Sequence, residues 1–141
     1  MDGILALVTA ALLATPQVPA TELTIDLQRV RSAKGVVHAC LTRNPRHFPD
    51  CKADPSALRQ TVPAGSRIIR FNGLATGAYA LTLVHDENNN QRLDTVLGIP
   101  REGFGFSRNP AIRFGAPRFE QVVIELKPGF TSQTIRMQYL L

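Results

Sequence analysis

Apolar and polar residues alternate with a period of two along most of the chain, and this pattern constrains the fold more than any other feature. Successive side chains of a β-strand point to opposite faces, so the alternation predicts strands with one buried face. Gly, Pro and Asn turns separate six or seven such segments. The predicted strands cover residues 23–28, 36–41, 67–71, 79–85, 122–127 and 134–139.

Short strands of this kind predict an all-β fold, namely an antiparallel sandwich of two sheets and about seven strands. Sheet-on-sheet packing is expected because each half-apolar strand needs a second apolar layer to cover it. Helical periodicity is weak and predicts one turn around residues 55–60. A chain of 141 residues, 44% of them apolar, has the size of one domain with its own core.

The first twenty residues differ from the rest in composition. Residues 4–14 are apolar or small without interruption, and residues 15–20 are small and turn-forming, which predicts a signal peptide over residues 1–20 and a β-sandwich domain over residues 21–141. A cytosolic N-terminal helix is the alternative, because no Lys or Arg precedes the apolar stretch. No apolar run reaches the roughly 18 residues of a membrane span. We therefore expect a periplasmic or secreted protein with no transmembrane segment after cleavage.

The two cysteines, Cys40 and Cys51, are predicted to form a disulfide. An even pair this close in an exported protein is typical of a cross-link that closes a short loop. The ten intervening residues fit neither a Cys-x-x-Cys redox motif nor a zinc knuckle.

An Asp/Asn-rich loop follows the strand predicted over residues 79–85. Its oxygen-bearing side chains fall at positions 1, 3, 5 and 9 of a calcium-binding loop, and a main-chain carbonyl is expected at position 7. Alternate residues of a tight loop can direct their oxygens at one hard cation. The candidate Ca²⁺ ligands are Asp86, Asn88, Asn90, Arg92 through its carbonyl, and Asp94.

Two departures from the calcium pattern weaken this hypothesis. Gln91 stands where the turn normally has Gly, so a residue with a Cβ must adopt an unfavourable backbone conformation. Leu97 stands at the twelfth position, where a bidentate carboxylate is usual. The alternative is a metal-free turn, since Asp and Asn readily bond their own backbone.

A long segment rich in Gly, Pro, Phe and Arg follows, over residues 97–119. A loop of this length has a function or packs onto the domain. Its aromatics are expected to pack, while a ligand-binding face is the second interpretation. Arginine prefers planar anions, so an anionic envelope partner is one interpretation of the net charge of +5. The basic residues are scattered without a cluster, so a solvated basic surface is the preferred interpretation, and export argues against nucleic acid. The candidate partner surface is Arg101, Phe104, Phe106, Arg108 and Arg113.

Catalytic patterns are largely missing from the sequence. Ser107 does not lie in a Gly-x-Ser-x-Gly motif, and the three histidines form no metal-binding pair. We therefore expect a non-enzymatic envelope accessory module that binds a partner through the region 86–118. The alternatives are a purely structural interaction module, and a hydrolase of an envelope polymer that uses Asp86, Asp94 or Glu102 as acid and base.

Two motifs resemble the signature of the DUF2141 family, which comprises small bacterial proteins, typically with an export signal, of uncharacterised function. They are HDENNN with a following LD over residues 85–94, and GIPREGFGFS over residues 98–107. The resemblance continues through residues 114–119 and the last strands. The motif Gly77-x-Tyr79 opens the strand that leads into the Asp/Asn loop, and it is also similar to prealbumin-like and Cna-B-like modules. This similarity implies a prealbumin- or immunoglobulin-like sandwich.

Overall fold

The computed structural model of the protein describes Gly3 and residues 8–141. The predicted signal segment lies partly outside these residues, at positions 1–2 and 4–7. Residues 8–20 carry no regular secondary structure, and the first strand begins at Thr21.

The regular elements are mostly strands, with one short helix and one 3₁₀ turn at Pro45–His47 among the described residues. In chain order they are β1 Thr21–Gln28, β2 Val36–Thr42, β3 Leu58–Pro63, β4 Ile68–Leu74, β5 Gly77–Asp86, β6 Thr95–Val96, β7 Ile99–Pro100, β8 Gly103–Phe106, α1 Phe119–Val122, β9 Ile124–Leu126 and β10 Gly129–Arg136.

The strands form two main sheets and a small hairpin. The first sheet has the order β10-β1-β4, and the second has the order β3-β2-β5-β8 with β9 paired to the beginning of β5. Within the described part of the chain, β6 and β7 pair only with each other. The prediction of purely antiparallel sheets is wrong at one place, because β1 and β10 run parallel from Thr21 opposite Gly129 to Gln28 opposite Arg136. Alternation shows which face of a strand is buried, and it does not encode the direction of the neighbouring strand.

The alternating apolar residues form the core, as predicted. On β1, Leu23 and Ile25 are fully buried and Leu27 nearly so, while the residues between them are partly exposed. They belong to one apolar cluster with Val37 of β2 and Leu83 of β5, so both main sheets contribute to the same core.

Two segments differ from their predicted structure. Residues 58–60 belong to β3, an edge strand paired with β2, and not to a helical turn. The segment 97–119, predicted as a loop, contains β7, β8 and the first residue of α1. β8 has the sequence GFGF, in which glycine and phenylalanine alternate. Both faces of β8 are buried, so the strand has no alternation of polar and apolar residues from which it could be predicted.

The two faces of β8 pack against different partners. Phe104 and Phe106 belong to a second apolar cluster with Ala80 and Val122, and Phe48 packs against it. On the other face, a Cβ at Gly103 would overlap the ring of Tyr139, so only glycine leaves room for that ring. Packing of the aromatics, the preferred interpretation, is thus confirmed for Phe104 and Phe106.

Cys40 and Cys51 form the predicted disulfide, with their Cα atoms 6.4 Å apart. The enclosed loop places the Phe48 ring 5.8 Å from the ring of Phe106 and 6.0 Å from that of Phe119, measured between centroids. The disulfide therefore lies at the base of a loop that supports the second apolar cluster.

Ser107, which follows β8, links β5 to α1 through two buried hydrogen bonds. Its Oγ accepts from the main-chain N–H of Leu81 at 3.1 Å and donates to the carbonyl of Val122 at 2.5 Å. The residue is fully buried, which agrees with a structural role.

We expect Ser107→Ala to lower the free energy of unfolding by about 2–3 kcal/mol, because two buried main-chain groups lose their partner. Urea denaturation followed by circular dichroism measures this change. Ser132→Ala, at an exposed position of β10, is the matched control and is expected to change stability by less than about 0.5 kcal/mol. Equal effects of the two substitutions would contradict the linking role of Ser107.

Candidate functional site

The Asp/Asn loop begins at Asp86, the last residue of β5, whose side chain is fully buried. Its carboxylate accepts hydrogen bonds from the main-chain N–H groups of Asn90 at 3.1 Å and Gln91 at 2.8 Å. His38 Nε2 lies 2.9 Å from the second oxygen, and His38 Nδ1 lies 2.9 Å from Thr61 Oγ1. Burial raises the pKa of Asp86, but these hydrogen bonds outweigh burial and hold the pKa below its ordinary value.

Asp94 is the last residue of the loop, and its carboxylate forms hydrogen bonds with two of the loop asparagines. Its carboxylate accepts from Asn88 Nδ2 at 2.8 Å and from Asn90 Nδ2 at 2.9 Å, and these bonds lower the pKa of Asp94. The amide oxygens of Asn88 and Asn90 accept from main-chain N–H groups two residues further on, those of Asn90 and Arg92. Such bonds are the Asx turns that the turn interpretation predicts.

The backbone at the sixth loop position is unfavourable, as predicted from the missing glycine. Gln91 has φ 61° and Asn89 has φ 52°, both in the left-handed region. Asparagine tolerates this region better than other residues with a Cβ, so the cost is greater at Gln91.

The segment between β1 and β2 packs against the start of the loop. His85 is fully buried, and both ring nitrogens are engaged, with Nδ1 2.7 Å from the Tyr139 hydroxyl and Nε2 2.8 Å from the Lys34 carbonyl. Arg31 forms an ion pair with Glu87, whose other oxygen accepts from Ser32 Oγ at 2.9 Å. His85 therefore holds the loop in place, which agrees with a structural histidine.

Glu102 is a further acidic residue of the site, and the loop pattern did not include it. It lies between β7 and β8 and is only 4% exposed. The N–H of Arg101 donates to the carbonyl of Asp94 at 2.8 Å across the β6–β7 hairpin, which places the next residue beside Asp94.

The Glu102 carboxyl lies beside two other acidic side chains, those of Asp86 and Asp94. It lies within hydrogen-bond reach of the Asp94 carboxylate, while its Oε2 has no hydrogen-bond partner within the part of the chain that the structure describes. Burial, followed by the contact with Asp94 and the negative charges of Asp86 and Asp94, raises the pKa of Glu102 to about 7. The sequence indicates Glu102 only as a candidate acid or base of the hydrolase alternative, and its position directly before the apolar run GFGF is the signal that could have placed it in this site.

The other candidate ligands have different surroundings. Arg92 is exposed, and its carbonyl belongs to the turn between Asn90 and Asp94. Among Gly3 and residues 8–141, no three His, Cys, Asp or Glu side chains are arranged to hold a metal ion. Of the three carboxylates named for the hydrolase alternative, Asp86 and Glu102 are buried and Asp94 is partly exposed.

The predicted partner surface divides into buried and exposed residues. Phe104 and Phe106 are 7% and 5% exposed, so their assignment to a partner surface is wrong, because β8 turns both rings into the second cluster. Arg101, Arg108 and Arg113 are exposed.

Phe114, next to Arg113, is 95% exposed, although packing was expected for it. The segment 111–117 borders a shallow surface depression of about 250 Å³. The exposed aromatic side chain of this region is thus Phe114 and not a ring of β8.

Comparison with known protein families gives one match. The sequence model of a family described as "Uncharacterized protein conserved in bacteria (DUF2141)" matches residues 25–134. The chain belongs to the DUF2141 family. In this DUF2141 protein the matched range includes the strands β2–β9, the Asp/Asn loop and Glu102.

Neither the curated proteins nor the solved structures contain a match to this DUF2141 chain. Among the residues that the structure describes, no helix has both the length and the apolar character needed to cross a membrane.

Proposed function

We propose that this DUF2141 protein is an exported, non-enzymatic accessory module of the cell envelope, with a β-sandwich fold of prealbumin- or immunoglobulin-like type. The sandwich is supported by the apolar cluster of β1, β2 and β5, to which both main sheets contribute. Export to the periplasm or the exterior is supported by the apolar segment 4–14 and by the Cys40–Cys51 disulfide, since disulfides persist in oxidising compartments.

The module binds an anionic envelope polymer through the segment 108–118, which we call the Arg/Phe loop. The observation that carries this proposal is the 95% exposure of Phe114 beside the exposed side chain of Arg113. Aromatic and arginine side chains are the residues that most often dominate binding energy at interfaces. Guanidinium groups also match the planar geometry of carboxylates and phosphates.

The Arg/Phe loop is fixed near its beginning, which favours binding. Asn109 donates to the carbonyl of Thr134 at 2.7 Å and accepts from the N–H of Arg136 at 2.8 Å, so it is tied to β10. At the other end, the N–H of Arg118 donates to Gln121 Oε1 at 2.8 Å. A loop held in this way loses less conformational entropy on binding than a free loop.

Retention on an immobilised carboxylate polymer, polygalacturonate, tests this proposal, with neutral dextran as the reference matrix. We expect Arg113→Ala and Phe114→Ala each to weaken binding by about fivefold or more. Binding of the unchanged protein is expected to weaken as salt rises, because exposed charges are screened.

Matched controls test whether binding depends on the Arg/Phe loop or on any exposed arginine or phenylalanine. Phe130→Ala removes an 87% exposed phenylalanine of β10, and Arg70→Ala removes an exposed arginine of β4. Both are expected to bind as the unchanged protein does. The structural-module alternative predicts no retention, and preference for anionic lipid vesicles over the polymer would contradict the proposed partner.

A further inference from the structure

The acidic side chains of Glu102 and Asp94 lie next to each other, and that of Glu102 is buried. Glu102 is 4% exposed, its Oε2 lacks a hydrogen-bond partner among the described residues, and its carboxyl faces that of Asp94. Two carboxylates within hydrogen-bond reach of each other repel unless a proton or a cation lies between them. A buried carboxyl that has one unpartnered oxygen and lies beside further acidic groups suits a cation ligand.

The oxygens around this position come from a loop with the spacing of a calcium site. Asp86, Asn88, Asn90 and Asp94 occupy its first, third, fifth and ninth positions, and the carbonyl of Arg92 follows at the seventh. Each amide oxygen of the two asparagines accepts one hydrogen bond and retains a second lone pair. Of the ligands of a calcium loop, the bidentate carboxylate of the twelfth position is missing.

We propose that this DUF2141 protein binds Ca²⁺ in the Asp86–Asp94 loop, with Glu102 supplying the carboxylate that the loop itself lacks. With Glu102, three carboxylates, two amide oxygens and one carbonyl oxygen provide the six to eight donors that calcium takes. Glu102 stands in for Leu97, whose side chain is 97% exposed and has no oxygen. The proposed calcium site is separate from the Arg/Phe loop and does not depend on the proposed binding of an anionic polymer.

The donor chemistry favours calcium over other metals. The donors are all oxygens, and His38, the histidine in contact with Asp86, is already engaged by Asp86 and Thr61. Transition metals prefer nitrogen or sulfur donors, and Mg²⁺ demands a stricter octahedral arrangement with several waters retained. Amide and carbonyl oxygens supply half of the proposed ligands. Among the described residues the carboxylates of Asp86, Asp94 and Glu102 are not grouped as a metal site, so these side chains are expected to draw together when the ion binds.

Isothermal titration of the full chain with CaCl₂ tests the proposal. We expect one site with a Kd of about 0.1–1 mM, the range of extracellular calcium modules. Glu102→Gln keeps the size of the side chain and removes its charge, and we expect it to weaken calcium binding by about tenfold. Glu125→Gln, at an exposed position of β9, is the matched control and is expected to leave the Kd unchanged.

Amide chemical shifts, measured in the same titration, locate the bound ion. Changes confined to residues 86–94 and 101–103 are expected. No heat and no shift change at about 10 mM CaCl₂, well above the expected Kd, would overturn the site. An unchanged Kd in Glu102→Gln would overturn the role of Glu102. Equal weakening by Glu125→Gln would also overturn it, because the effect would then come from the net surface charge. Magnesium binding as strong as calcium binding would contradict the assignment of the ion.

Discussion

Replacing Gly35 by alanine is expected to lower the free energy of unfolding by about 3–5 kcal/mol, from left-handed strain and from overlap with main-chain atoms. Gly35 has φ +69°, and a Cβ there would overlap the carbonyl oxygen of Asp86 and lie 2.7 Å from that of Glu87. Both obstacles are main-chain atoms, so no change of side-chain rotamer removes them. The end of β5 or the turn before β2 would have to move.

Gly73→Ala is the matched control for this prediction. Gly73 has φ +63°, nearly the same backbone conformation, but no described atom lies within 4 Å of a Cβ built there. We expect this variant to lose only about 1 kcal/mol, the cost of the left-handed conformation alone. Urea denaturation of both variants gives the difference, and similar losses would contradict the close packing of Gly35 on Asp86.

The same packing determines where the Asp/Asn loop starts. The segment from Ser32 to Gly35 contacts the end of β5 and the start of the loop. Ser32 Oγ donates to the Glu87 carboxylate, and the Lys34 carbonyl lies 2.8 Å from His85 Nε2. If Gly35→Ala remains folded, a shift of the Asp86 carbonyl would also move its carboxylate. Calcium affinity in that variant is therefore expected to fall together with stability.

The strands that the sequence predicts well are those whose polar and apolar residues alternate. β1 and β2 follow this rule, because one face of each meets the core and the other is partly exposed. β8 does not, because its alternating residues are glycine and phenylalanine and both of its faces are buried. The parallel pairing of β1 with β10 could not be predicted either, since strand direction depends on the path of the chain between them.

In the candidate site too, features of consecutive residues could be predicted from the sequence, and contacts between distant residues could not. The oxygen spacing from Asp86 to Asp94 is a property of consecutive residues, so the sequence reveals it directly. Glu102 joins them only because the short β6–β7 hairpin returns the chain to Asp94. The burial of Phe106 and the exposure of Phe114 are likewise set by tertiary packing, which explains why the wrong aromatic residues were assigned to the partner surface.

Removing the disulfide with Cys40→Ala and Cys51→Ala together is expected to lower the free energy of unfolding by about 3 kcal/mol, mainly because the unfolded chain gains freedom. The native loop keeps contacts of its own that limit the local damage. Thr42 Oγ1 donates to the buried Asp54 carboxylate at 2.6 Å. This bond, with that from the N–H of Ser56, lowers the pKa of Asp54.

Reductant provides the control for this prediction. Dithiothreitol should destabilise the unchanged protein by the same amount and leave the double variant unaffected, as urea denaturation with and without reductant measures. Loss of the cross-link should also loosen Phe48 from Phe106 and Phe119. Hydrogen exchange is then expected to accelerate throughout the core with the loss of global stability, and to accelerate more in α1 and β8 than in β1, which lies in the other sheet. Equal acceleration in β1 would show that the disulfide acts only on global stability and does not support the second cluster.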